Sequence, residues 1–411
     1  GDGDFFGPRS ARRQGDMLER REIDECQLTS GKALTFANVA EGAEGLIVAD
    51  LARAVAAKPK PPAVSLAVVC RDGARMQQLA RSLEFFAPDL VVMQFPGWDC
   101  QPYDRVSPHA GVLAQRVTTL AKLSRLTGSD KPIIVLTTVN AAVQRVPQRD
   151  IVAAQALSVA PGNVVPMDSI VAWLEHNGYS RASTVREAGE YAVRGGILDL
   201  FPAGLDQPVR FDFFGDQLES IRTFDAETQR TLHTMRGLDL VPVSEFQLVT
   251  ETIRRFRMGY VATFGAPHPD DQLYAAVSEG RRHPGMEHWL PLFHDHLETL
   301  LDYCPEAMVT ADHQIVEALE ARHELIVDYY DARLKTGAKG GMSGGSDYKP
   351  VPPEQLYLKP SQWDALLDGR AVGQFTTFNA APETAGAIDL GGRRHEGFAQ
   401  ARTAQGVNLF D

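Results

Sequence analysis

The hydrophobic pattern of this chain changes period near residue 150. Before that point, "ALTFANV" (33–39), "PPAVSLAVVC" (61–70), "LVVMQFP" (90–96) and "KPIIVLTTV" (131–139) are short apolar runs. Runs of that length with little alternation predict strands covered on both faces. Between them, "AEGLIVADLARAVAA" (43–57), "RDGARMQQLARSLEFF" (71–86) and "PHAGVLAQRVTTLAKLS" (108–124) carry apolar residues at helical spacing. Strand and helix in strict alternation predict an α/β unit, a parallel sheet wrapped by helices.

After residue 150 the pattern shortens. "SIVAWLEHNGY" (169–179) predicts a helix, and "EYAVRGGILDLFP" (190–202) reads as one strand with Gly195 and Gly196 as a bulge or bare backbone. "PVRFDFFG" (208–215) and "QLESIRTFD" (217–225) flank "GD", a hairpin signal. A small α+β domain is therefore expected as an insert over 147–235, between 26–146 and a mixed segment, 236–335, that ends helical. Residues 1–25 read as a polar tail or leading helix, and "TGAKGGMSGGSDYKPVPPE" (336–354) has linker composition. Residues 355–411 are left as a short C-terminal small domain.

Composition narrows the function classes. The 411 residues suffice for two to four domains. A net charge of −12 argues against gripping nucleic acid over the whole surface, although it leaves a local basic face open. Cys26, Cys70, Cys100 and Cys304 show no CxxC spacing, so free thiols in a reducing cytoplasm are expected. No apolar run approaches the roughly 18 residues of a membrane span. The chain opens on Gly rather than Met and ends on "GVNLFD" without a stop signal, so it is expected to be a piece of a longer protein.

An α/β domain invites a phosphate site at its first strand-to-helix turn. There, Gly42 and Gly45 precede a helix, but Leu46 and Ile47 stand where a P-loop needs Lys and Ser/Thr. Glu41 and Glu44 would repel phosphate, and "SGKA" (30–33) offers Ala33 in place of the hydroxyl. In "EAMVTADHQ" (306–314), Asp312 sits where a metal-holding carboxylate is expected, but His313 replaces the acid that activates water. Asp312 and His313 read as a turn and helix cap. "HPGMEHWLPLFHDH" (283–296) lacks H-E-x-x-H spacing, and no G-x-S-x-G elbow exists. No catalytic residue, metal or resident cofactor is expected.

Several longer stretches then carry a resemblance: "FPGWDCQPYDRVSPHAGVLAQRVTTLAKL" (95–123), "TTVNAAVQRVP" (137–147), "GYSRASTVREAGEYAVRGGILDLFPAG" (178–204), "PVRFDFFGDQLESIRTFDAETQRT" (208–231) and "EHWLPLF" (287–293). Together they resemble the amino-terminal, UvrB-like region of the bacterial transcription-repair coupling factors. The resemblance implies a helicase-like parallel domain with a degenerate nucleotide site, in two parts (26–146 and 236–335), and a UvrA-binding insert. It implies UvrA as partner, with RNA polymerase, double-stranded DNA, ATP and Mg belonging to domains further along the family's chain. It also implies an intramolecular carboxy-terminal partner that hides the UvrA surface. By motif position Arg181 and Arg194 are the implied UvrA-binding residues, with Phe201 as an apolar anchor; Arg181 and Arg194 are expected to share a face. UvrB's DNA-gripping hairpin has no counterpart, since "WDCQPYDRVSPH" runs almost directly into a helix. Trp98 and Tyr103 are candidates either for base stacking or for packing. The alternative reading is a UvrB-like, helicase-like module contacting DNA directly.

Overall fold

In the computed structural model, which describes residues 28, 31, 33–40, 42–338, 348–379 and 386–391, the alternating half of the sequence builds one parallel sheet. Its first elements are β1 (Ala33–Ala37), α1 (Glu44–Ala56), β2 (Leu66–Cys70), α2 (Gly73–Phe86), β3 (Val91–Phe95), α3 (Ala110–Ser124) and β4 (Ile133–Thr138). β2 and β4 are buried at every position, as their unbroken apolar runs require. Side chains alternate between the two faces. Leu66, Val68, Ile134 and Leu136 pack with Val48, Leu51, Leu79 and Leu83 of α1 and α2. Ala67, Val69, Ile133 and Val135 pack on the opposite side, with Leu120 and Leu123 of α3.

The meander folds as a second body. β5 (Leu157–Val159), α4 (Met167–His176), β6 (Ser180–Arg181), β7 (Glu190–Arg194), β8 (Ile197–Leu200), β9 (Val209–Phe214), β10 (Gln217–Phe224), β11 (Thr231–Met235) and β12 (Leu238–Leu240) follow in chain order. The six-stranded sheet runs β11-β10-β9-β8-β7-β6, and β5 pairs with β12 at its base. The expected single strand over 190–202 is instead a hairpin, with Arg194 paired to Ile197 across a Gly195-Gly196 turn. The glycines are the turn, not a bulge. Gly195 has φ +61°, and a Cβ on Gly196 would stand 2.8 Å from the Phe213 carbonyl oxygen.

The chain then returns to the first body through α5 (Thr250–Phe264), a 3-10 helix (Met286–Phe293), β13 (Met308–Ala311) and α6 (Ile315–Ala338). The root of the insert is fixed by a buried carboxylate. Glu245 accepts hydrogen bonds from Arg116 on α3 at 2.7 Å and from the Trp98 indole at 3.1 Å. Both side chains of the Arg116–Glu245 pair are 0% exposed. Trp98 and Tyr103 are thereby core residues, packed with Phe246, Trp289 and Tyr357, and present no face to a base.

The C-terminal segment departs from expectation. β14 (Val372–Phe375) lies between β1 and β13, and β15 (Ala387–Asp389) pairs with the other edge of β1. The full order is β15-β1-β14-β13-β2-β4-β3, so the described part of 355–411 completes the first sheet rather than forming a small domain of its own. β14 is four residues long, and Gly373 leaves room for Phe36 and Met308 to close over it. A strand that short exists only through its neighbours. The expected linker is likewise structured where described: Tyr348 packs on Trp289, and Val351 is fully buried. Residues 1–25, and 339–347 within the linker, lie outside the described residues.

Candidate functional site

The period-two alternation of the inserted sheet sorts its residues onto two faces. Tyr191, Leu198, Leu200, Val209, Phe211, Leu218 and Ile221 point inward against Ile170 and Leu174 of α4. The register leaves Ala192, Arg194, Asp199, Arg210, Asp212, Ser220, Arg222 and Phe224 on the other face. That outer face carries arginines and carboxylates, with Phe201, Val185, Ala192 and Phe224 as a small apolar cluster among them.

Its arginines divide by partner. Arg210 makes a bidentate pair with the buried Asp199 at 2.6 and 2.8 Å, and its guanidinium lies over the Phe224 ring at 4.8 Å. The Asp199 hydrogen bonds hold the Arg210 guanidinium above its ordinary value. Arg222 pairs with Asp212, which also accepts from Ser220 at 2.6 Å. These two cations are spent inside the sheet. Arg194 is exposed and donates only to neutral oxygens, the Ser183 carbonyl at 2.6 Å and the Thr184 hydroxyl at 3.3 Å. Arg181 is exposed and pairs with no carboxylate among the described residues, and neither does the exposed side chain of Arg186. Arg181, Arg186 and Arg194 thus lie at the β6–β7 edge without an ion pair among the described residues, as do the exposed Arg230 and Arg236 on either side of β11 at the opposite edge.

Arg181 and Arg194 do not share a face. Arg181 sits opposite Tyr191, whereas Arg194 lies three residues further along β7 and points the other way. Burial and a hydrogen bond to Glu175 push the Tyr191 phenol up to about 12, while Arg181 beside it pulls in the opposite direction. The two arginines flank the sheet edge from either side. Phe201 is half-buried against Val185, Ala192 and Phe224, so part of its ring packs and part is offered to solvent.

The expected phosphate turn has a different construction. Gly42 is exposed, with φ +92°, and turns the chain out of β1. Gly45 lies inside α1, where a Cβ would stand 2.2 Å from Ser82 Oγ; it is a helix-packing glycine. Leu46 is half-buried in the same helix turn. The Glu44 carboxylate accepts from the Gly42 N–H at 2.9 Å and from Arg75 Nη2 at 2.6 Å. Asp312, at the end of β13, accepts from Arg75 Nε at 3.3 Å and from the His313 N–H at 2.9 Å. His313 turns toward the exposed Phe378, with ring centroids 6.4 Å apart. Burial pulls the Arg75 guanidinium down, but Glu44 and Asp312 outweigh it and leave it raised. Sequence reading missed Arg75. No local motif ties it to a carboxylate 31 or 237 positions away.

A family model described as the UvrB interaction domain matches residues 157–246, a span that runs from β5 past β12. The chain is 37% identical over 246 residues to the transcription-repair-coupling factor of Haemophilus influenzae, covering 60% of this chain and 21% of that protein. It is 32% identical over 273 residues to that of Escherichia coli K12 (66% and 23%), and 34% identical over 317 residues to that of Myxococcus xanthus (73% and 25%). The chain is homologous to part of the transcription-repair-coupling factors. It spans about a quarter of the length of the transcription-repair-coupling factors it matches. Arg181, Arg186, Arg194 and Phe201 all fall inside the matched domain. No helix among the described residues is long and apolar enough to cross a membrane.

Proposed function

We propose that this chain is a recruitment module of a transcription-repair coupling factor and that the β6–β7 edge of its inserted sheet docks the excision-repair protein UvrA. One observation carries the reading. Within the span matched as a UvrB interaction domain, three exposed arginines with no ion pair among the described residues, Arg181, Arg186 and Arg194, lie along the β6–β7 edge, in the same part of the sheet as a half-buried phenylalanine. Free guanidinium forks select an acidic partner, and an apolar anchor next to them is the usual make-up of an interface hot spot. Arg210 and Arg222, already neutralised, tie β8, β9 and β10 together beneath.

The module works without ATP, Mg or any catalytic step of its own. ATP-driven movement on double-stranded DNA and contact with RNA polymerase belong to the portions of such proteins outside the matched quarter. In the whole protein the same edge serves a second, intramolecular occupant from the carboxy-terminal region, which withholds it until the polymerase is engaged; the setting is cytoplasmic. The test is retention of purified UvrA by the immobilised chain, without ATP or DNA, at a series of salt concentrations. Retention that weakens with salt is expected. Absence of retention at low salt contradicts the proposal.

A further inference from the structure

The carboxyl edge of the first sheet is where a parallel α/β domain ordinarily takes its ligand. There the N-terminus of α1 attracts an anion, and a cation and a strand-end carboxylate complete the charge set. We propose that this chain supplies all of these charges itself, with Arg75 as the resident cation, so that the edge is held closed by a built-in ion set.

Glu44 is the anion at the helix start. One of its oxygens takes the Gly42 N–H, a donor that a phosphate oxygen would otherwise use, and the other takes Arg75. Asp312 is the strand-end carboxylate, and both of its oxygens face Arg75 Nε, at 3.3 and 3.4 Å. The remaining Arg75 nitrogen donates to Gln78 at 3.2 Å. The side chains of Arg75, Glu44 and Asp312 are 15%, 10% and 7% exposed, so solvent screens them far less than a surface pair.

The three residues come from three separate turns. Glu44 follows β1, Arg75 follows β2 and Asp312 follows β13, so one guanidinium ties the carboxyl ends of three strands. Removing it would leave the Glu44 and Asp312 carboxylates without their shared counter-ion, which costs more than the pair contributes when intact. The device predicts independence from nucleotide. The anion position, the cation position and the turn N–H are all engaged.

Thermal unfolding of the whole chain tests this with two variants. Arg75→Met is expected to lower Tm by several degrees, and millimolar Mn2+ is expected to recover part of the loss where Na+ of equal ionic strength does not. Arg75→Met/Glu44→Gln/Asp312→Asn is expected to be more stable than Arg75→Met and indifferent to Mn2+. The wild-type Tm is expected to move with neither Mn2+ nor Mg-ATP. A triple variant no more stable than Arg75→Met would assign Arg75 a packing role and overturn the proposal. Stabilisation of the wild type by Mg-ATP would overturn it as well.

Discussion

Arg194 and Arg210 differ in what is left for a partner to bind. Arg210 is satisfied by Asp199 on two oxygens and covered by Phe224, whereas Arg194 reaches only a carbonyl and a hydroxyl while exposed. An exposed side chain with neutral partners contributes little to folding and is free to contribute to binding. Arg194→Ala is therefore expected to leave the melting temperature within about 1 °C while weakening UvrA binding roughly tenfold. Asp199→Ala should behave in reverse, leaving Arg210 half-buried and unpaired, and lowering unfolding free energy by about 3 kcal/mol in urea titrations.

At the scale of elements, two glycines allow close approach. Gly196 approaches the Phe213 carbonyl so closely that a methyl group would push β7–β8 away from β9. Gly45 lets α1 lie against α2 at Ser82. Gly45→Ala is expected to lower the melting temperature, and Ser82→Gly in the same chain to restore part of the loss. Restoration would identify Gly45 as a packing residue, whereas a loss untouched by Ser82→Gly would point to the turn instead. These elements also mark how far the sequence could be read. The apolar runs of β2 and β4 identified them because burial on both faces leaves an unbroken signal. The hairpin inside 190–202 was signalled by Gly195-Gly196, a two-residue turn pair, but the apolar runs on either side also read as one strand with a glycine bulge. β14 was hidden because its four residues are stabilised only by β1 and β13, which are remote in sequence. In the candidate site, motif position singled out Arg181, Arg194 and Phe201, but which arginines lack a partner depends on cross-strand register. That register also separates Arg181 and Arg194 onto opposite faces.

For the molecule as a whole, two buried histidines beside the root of the insert set the response to acid. Burial pushes His288 down to about 4, and it does the same to His294, which bonds the Glu245 carbonyl at 2.9 Å. Both imidazoles stay neutral in the fold, while in the unfolded chain they take up protons near pH 6.5. The unfolded state thus binds more protons between about pH 6.5 and 4, and stability falls as pH drops through that window. Burial raises the Glu287 carboxyl, which has the opposite sign: a raised acid contributes stability at low pH that fades as pH climbs past its unfolded value. Melting curves between pH 7 and 4 are expected to show a declining Tm, and His288→Phe should flatten the decline. A slope unchanged by that substitution would mean that His288 takes up its proton without unfolding.

Docking of UvrA on the Arg181, Arg186 and Arg194 side chains of the β6–β7 edge is tested most directly by a calorimetric titration of UvrA with five single variants. Arg181→Ala, Arg186→Ala and Arg194→Ala each remove a guanidinium with no carboxylate partner among the described residues; Arg210→Ala and Arg222→Ala remove guanidiniums that Asp199 and Asp212 already neutralise. Arg194→Ala and Arg181→Ala are expected to lose affinity at unchanged Tm, while Arg222→Ala binds like the wild type. Wild-type affinity in Arg194→Ala and Arg181→Ala, with the loss falling instead on Arg222→Ala, would contradict docking at that edge.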